Sequence, residues 1–294
     1  MDIRSVAVVG AGTMGAGIAQ VACQAGYETH LVDASPASLD KGTAAIHAFW
    51  AKGVAKGKTT PAQRAAWEAR LHPGGELAAA VARADLVIEA VPESLDLKRK
   101  VFAAADAAAP AHAILATNTS SLSVAAIAAA TKRPGRVLGM HFFNPVPLMQ
   151  LLELVRHDGT DPATLDAAQQ VGKAMGKSTI VVRDVPGFAT SRLGIVLGNE
   201  AMRMLEEGVA SARDIDTAMR LGYGHPMGPL ELSDLVGLDV RQAIGDYLHA
   251  QFGGAHYRNP QLVRDLVAKG ELGKKTGKGI YDWGDGTPRE RVLR

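Results

Sequence analysis

The stretch VAVVGAGTMGAGIAQ, residues 6–20, decides the fold. Val6 to Val9 read as a buried strand, and an apolar helical pattern follows the glycines. Gly10, Gly12 and Gly15 form G-x-G-x-x-G at the point where strand turns into helix. There Gly10 allows a tight turn, Gly12 lets a pyrophosphate approach the backbone, and Gly15 lets the helix pack closely. The helix start at Thr13 and Met14 offers backbone N–H groups to the negative charge. Glycine-rich turns are common, so the spacing alone is weak. Asp33 strengthens it, because HLVD closes the next strand-like run twenty-one residues beyond Gly12. A carboxylate there accepts hydrogen bonds from ribose hydroxyls and repels a 2′-phosphate, which predicts NAD over NADP.

Outward from this unit, short β-branched runs alternate with alanine-rich helical stretches as far as Asp184. SVAVVG, ETHLVD, ADLVIEAVPE, HAILATN, RVLGMHFF and STIVVRD are the expected strands. Such alternation predicts an α/β domain of Rossmann type, with a mostly parallel sheet and helices on both faces. The segment of about residues 35–71 is long for one crossover and is expected to project as a helical arm, with Pro61 restarting a helix. It carries Lys52, Lys56 and Lys58, which otherwise read as a solvated basic face. Pro186 and Gly187 punctuate the chain. The expected domains are therefore 1–184 and an all-α domain, 185–294. In the latter, Gly187–Glu206, Ala212–Leu221, Pro226–Phe252 and Pro260–Lys269 are amphipathic, and KGIYDW is the one returning strand run.

Composition excludes several classes. With 294 residues, 47% of them hydrophobic, the chain is long enough for two cores. Lys and Arg number 32 against 30 Asp and Glu, a formal net charge of +2, and no basic stripe interleaved with aromatics appears. Nucleic-acid binding is not expected. No run of about 18 uninterrupted apolar residues argues for a membrane span, and the N-terminus leaves no room for an export signal. The single Cys23 lies among small apolar residues and reads as core packing. These features lead to the expectation of a cytoplasmic protein with no metal site.

The chemistry lies in later motifs: VIEAVPESLDLKRKVF, ATNTSSL, GMHFFNPVPLMQLLELV, DVPGF, GYGHPMGPLELSDLVGLD and GKKTGKGIYDW. Together, in order and across essentially the whole chain, they resemble the NAD-dependent L-3-hydroxyacyl-CoA dehydrogenases of the 3-hydroxybutyryl-CoA type. The resemblance implies reversible oxidation of a 3-hydroxyacyl-CoA to the 3-oxoacyl-CoA, with substrate entering between two domains and a homodimer formed through the helical one. Taken alone, His141 reads as a core histidine bonded to backbone. The motif reverses that reading, since relatives use a His–Glu pair at the spacing of His141 and Glu153. Imidazole can take the proton of a secondary alcohol as hydride leaves the same carbon, and a carboxylate on its other nitrogen fixes the tautomer.

The resemblance also places Ser120 near the nicotinamide and the substrate oxygen, with Ser121 expected as a helix N-cap before LSVAAIAAA. Glu93, Lys98 and Lys275 match cofactor-contacting positions, each with a solvated loop charge as the alternative. Asn118 is expected at the nicotinamide ribose, and the lysine arm at the CoA phosphates. One position departs from the family. Where relatives have Asn-Arg-Leu after PGF, this chain has ATSRL, so Ser191 replaces an amide that polarises the substrate oxygen. A serine offers one donor where the amide offers two, and it reads otherwise as a helix cap. Two other readings stand beside the principal one: a related dehydrogenase of a CoA-free 3-hydroxy acid such as carnitine or a sugar acid, and a catalytically impaired NAD-binding module.

Overall fold

Residues 2–291 are described by a computed structural model. Eight strands form one sheet: β1 (Ser5–Val9), β2 (Glu28–Val32), β3 (Leu71–Pro73), β4 (Leu86–Glu89), β5 (Ile114–Thr117), β6 (Val137–Phe142), β7 (Leu151–Arg156) and β8 (Ser178–Arg183). Their spatial order is β3-β2-β1-β4-β5-β6-β7-β8, parallel throughout except between β6 and β7. The mostly parallel Rossmann-type sheet is thus as expected. Its inner strands β1, β4, β5 and β6 read as near-continuous apolar runs because both faces are covered there. Val6 and Val8 enter a core with Ile18 and Ala22, while Ala7 and Val87 are buried toward the opposite face. Cys23 belongs to the first of these cores, and burial pushes its thiol pKa up to about 11.

The first helix, α1 (Thr13–Gln24), follows β1 directly. After β2 the chain forms α2 (Pro36–Ala55), started by Ser35 as N-cap and Pro36 in the first turn, then α3 (Pro61–Glu68), started by a Thr60–Gln63 capping box and Pro61. This is the arm of the sequence reading, and it does not stand free. Ile46 and Trp50 of α2 are buried in the same core as α1, where each large apolar side chain contributes about 1.5–3 kcal/mol. Phe49, beside Trp50, is exposed. The arm also ends earlier than expected, because Leu71 begins β3, whose three residues pair with β2. A three-residue strand containing His72 and Pro73 carries no periodicity to read.

Four helices complete this unit: α4 (Leu77–Val81), α5 (Leu95–Ala108), α6 (Val124–Ala128) and α7 (Pro162–Ala174). The N-cap of α6 is Ser123, which accepts from the backbone N–H of Ala126, and not Ser121. Asp184 reinforces that end, accepting from the N–H groups of Val124 and Ala125 at 3.0 and 2.7 Å and from the Ser123 hydroxyl at 2.9 Å.

The chain divides after Val185 into two compact units. The second is helical: α8 (Thr190–Glu206), α9 (Ala212–Thr217), α10 (Pro229–Val236), α11 (Leu238–Phe252) and α12 (Gln261–Ala268). The amphipathic stretch Pro226–Phe252 is two helices and not one. Gly237, at φ +104°, breaks it in a conformation that side chains rarely adopt. KGIYDW forms isolated bridges in place of a strand. It is held by buried carboxylates: Asp234 accepts from the N–H groups of Ile280 and Tyr281 and from the Trp283 indole, and Asp216 accepts from the Tyr281 hydroxyl.

Candidate active site

The carboxyl ends of β1, β4, β5 and β6 share one edge of the sheet, where ligands bind in open α/β folds. At the end of β1, Gly10 has φ +101°, and a Cβ on Gly15 would lie 1.7 Å from the Gly10 carbonyl oxygen, so the turn and the helix require glycine at both positions. Gly12 differs. A Cβ there meets nothing within 4 Å, so its need for glycine comes from outside the chain. No side chain caps the N-terminus of α1 at Thr13 and Met14. An open cradle at Gly12 before an uncapped helix start fits a dinucleotide pyrophosphate. Asp33, just beyond β2, holds the turn, with Oδ2 accepting from Ala11 N–H at 2.7 Å and Oδ1 from Ser35 N–H at 2.8 Å. Its remaining acceptor capacity suits ribose hydroxyls.

His141 and Glu153 meet on β6 and β7. Antiparallel pairing sets them directly opposite each other, and His141 Nδ1 lies 2.7 Å from Glu153 Oε2. His141 is 5% exposed and Glu153 fully buried. The His141 ring also packs against Phe143, with centroids 4.5 Å apart. Asn118 joins the ends of β5 and β6, its Oδ1 accepting from Phe142 N–H at 2.9 Å, and so holds the backbone beside His141.

The loop after β5 carries Ser120. Its backbone N–H donates to Glu93 Oε1 at 3.1 Å, and the Thr119 hydroxyl donates to the same oxygen. Thr119 also accepts from the N–H groups of Ser121 and Leu122, shaping the turn around Ser120. Glu93 and Lys98 are therefore not both solvated loop charges. Lys98 is 1% exposed and is bonded to Glu89. Glu89, Thr117, Thr119 and Asp184 escaped the sequence reading. For Glu89 a signal existed, a carboxylate closing the otherwise apolar strand LVIE.

Within the second unit, Ser191 is the second residue of α8. The N-cap is Ala189, so Ser191 does not serve as the cap. Arg192 beside it donates from Nε to the Tyr257 hydroxyl at 2.7 Å and stacks over Phe252 at 4.5 Å, fixing the start of α8. Lys275 pairs with both oxygens of Asp239, at 2.6 and 2.7 Å. Lys52, Lys56 and Lys58 are exposed at and beyond the end of α2, with no ion pair among the described residues. The described residues hold no group of His, Cys, Asp or Glu arranged for a metal ion, and no helix among them is long and apolar enough to cross a membrane.

Comparison with known proteins matches both parts of the chain to one family. Residues 5–185 match the NAD binding domain of 3-hydroxyacyl-CoA dehydrogenase, and residues 187–283 match its C-terminal domain. A probable 3-hydroxybutyryl-CoA dehydrogenase of Bacillus subtilis is 42% identical over 98% of this chain and 100% of its own length. Among solved structures, (S)-3-hydroxybutyryl-CoA dehydrogenase from Ralstonia eutropha superposes with TM-score 0.91 at 42% identity, covering 96% of this chain and 99% of that one. FadB2 of M. tuberculosis gives TM-score 0.92 at 40% identity, with the same coverage of both chains. With both domains matched in order and a nucleotide cradle on the matching sheet edge, the chain belongs to the 3-hydroxyacyl-CoA dehydrogenase family and is an NAD-dependent oxidoreductase of that type.

Proposed function

We propose that the chain interconverts short-chain L-3-hydroxyacyl-CoA, above all 3-hydroxybutyryl-CoA, and its 3-oxoacyl-CoA, with the His141–Glu153 pair as general base. The buried 2.7 Å contact between them at the carboxyl edge of the sheet carries this reading. With Nδ1 engaged by Glu153, proton exchange with substrate is assigned to Nε2. Glu153 favours the imidazolium that forms when the C3 hydroxyl gives up its proton. In the reductive direction the same imidazolium returns a proton to the nascent alkoxide. NAD, held at Gly10, Gly12, Gly15 and Asp33 with Glu93 and Asn118 as further contacts, accepts or supplies the hydride when bound. The Ser120 hydroxyl orients the C3 oxygen, and Ser191 takes the place of the family amide. Lys52, Lys56 and Lys58 meet the CoA phosphates.

The short-chain preference rests on the names of the relatives. It is tested by kcat/KM across a series of 3-oxoacyl-CoA thioesters, where acetoacetyl-CoA is expected to lead and a preference for medium or long chains would contradict it. A homodimer through the helical unit is part of the same proposal. Leu193, 71% exposed, and Leu197 line α8, while Leu232, Leu235 and Val236 line α10, which packs on it. Exposed apolar side chains on two packed helices support such a surface, and two-fold pairing is the commonest closed assembly. Light scattering should give the mass of two chains, and Leu193→Asp should shift it toward one. A monomeric wild-type protein would refute the dimer.

A further inference from the structure

Lys98 and Glu89 lie inside the first unit, 1% and 0% exposed, with Nζ 2.7 Å from Oε1. Glu89 ends β4, and its carboxylate also accepts from the Val91 N–H at 2.7 Å and, through Oε2, from the Thr117 hydroxyl at the end of β5 at 2.7 Å. An ammonium has three N–H donors, and those of Lys98 have three acceptors: Glu89, the Val91 carbonyl at 3.3 Å and Glu93 Oε2 at 3.4 Å. The other oxygen of Glu93 is the one that receives the Ser120 N–H and the Thr119 hydroxyl.

We propose that Glu89 and Lys98 form a buried positioning pair that holds the Glu93 carboxylate in place and, through it, the backbone of Ser120. Lys98 then acts through Glu93 and not by touching the cofactor. Glu89 is the charge that lets a buried ammonium exist at this place, since an unpaired one would be strongly disfavoured. The inference rests on the reading that Ser120 serves the reacting oxygen.

The test uses the full-length protein and a cycle of variants. Glu89→Gln with Lys98→Met removes both charges together, keeps the side-chain volumes and leaves no buried ion alone. This double variant should keep the wild-type melting temperature. Its kcat/KM for acetoacetyl-CoA with NADH should fall about tenfold or more, the scale of a misplaced site group. Adding Ser120→Ala should cost it little further, because groups acting as one unit give non-additive losses. Fully additive losses, or wild-type kinetics in the double variant, would overturn the proposal while leaving the Ser120 reading intact. Ser120→Ala at wild-type activity would overturn both. Should the double variant not fold, Glu93→Gln, whose side chain is partly exposed and outside the buried pair, is expected to show the same loss and the same non-additivity. Additivity with Ser120→Ala there would equally overturn the proposal.

Discussion

His141 and Glu153 are cross-strand neighbours on the one antiparallel pair of an otherwise parallel sheet, joined Nδ1 to Oε2 at 2.7 Å. Twelve residues apart in sequence, they are set face to face by register, so the sheet itself fixes the tautomer and ring orientation. His141→Gln should lower kcat by roughly 10²–10⁴-fold, the contribution of a positioned general base. Glu153→Gln keeps an acceptor but removes the charge that favours imidazolium, and should cost about a hundredfold or more by the same argument. Steady-state assays give kcat, and NADH fluorescence titration should show cofactor affinity nearly unchanged in both. Equal losses of affinity and turnover would point to a structural role.

Gly12 and Gly15 separate cofactor binding from packing. A Cβ on Gly12 has open space, whereas one on Gly15 would collide with the Gly10 carbonyl at 1.7 Å. Gly12→Ala should therefore keep its melting temperature yet weaken NADH binding by tenfold or more, roughly the 1.4 kcal/mol of one displaced contact. Gly15→Ala should lower the melting temperature as well. Calorimetry with NADH titration distinguishes the two.

Ser191, which the sequence resemblance sets at the position of a family amide, lies in the first turn of α8, fixed by Arg192, Tyr257 and Phe252. A preorganised donor to a developing oxyanion is worth on the order of 10²-fold in rate. Ser191→Asn should therefore raise turnover on acetoacetyl-CoA. An unchanged or lower rate would show that this chain has rebuilt the site around the serine.

The arm lysines are exposed while the body of α2 is anchored by Ile46 and Trp50. Charge removal at Lys52, Lys56 and Lys58 should leave folding intact. It should raise KM for the CoA thioester several-fold, an effect that shrinks as salt is added, with KM for NADH unchanged. Equal effects on both would remove the arm from the CoA site.

How much was legible follows from where each signal resides. The glycine turn and Asp33 were readable because strand, turn and helix are local. His141 and Glu153 became readable only through the motif around them, since a lone buried histidine has ordinary structural uses. Glu89 and Lys98 were opaque as a pair: their partnership depends on β4 and α5 meeting in space, and a lysine after a turn looks solvated. Trp50 misled in the opposite sense, because a basic segment hid the apolar side chain that anchors it. Ser123 and Ser121 offered equal capping chemistry, and the carboxylate of Asp184, far along the chain, helps hold the helix that begins after Ser123.

The most direct measurement follows NADH consumption with acetoacetyl-CoA, with free acetoacetate beside it and NADPH as the cofactor control. The account predicts rapid oxidation of NADH with the thioester, little with free acetoacetate or with NADPH, and loss of the reaction in His141→Gln. Silence with the thioester while NADH still binds, or equal rates with the free acid, would contradict it.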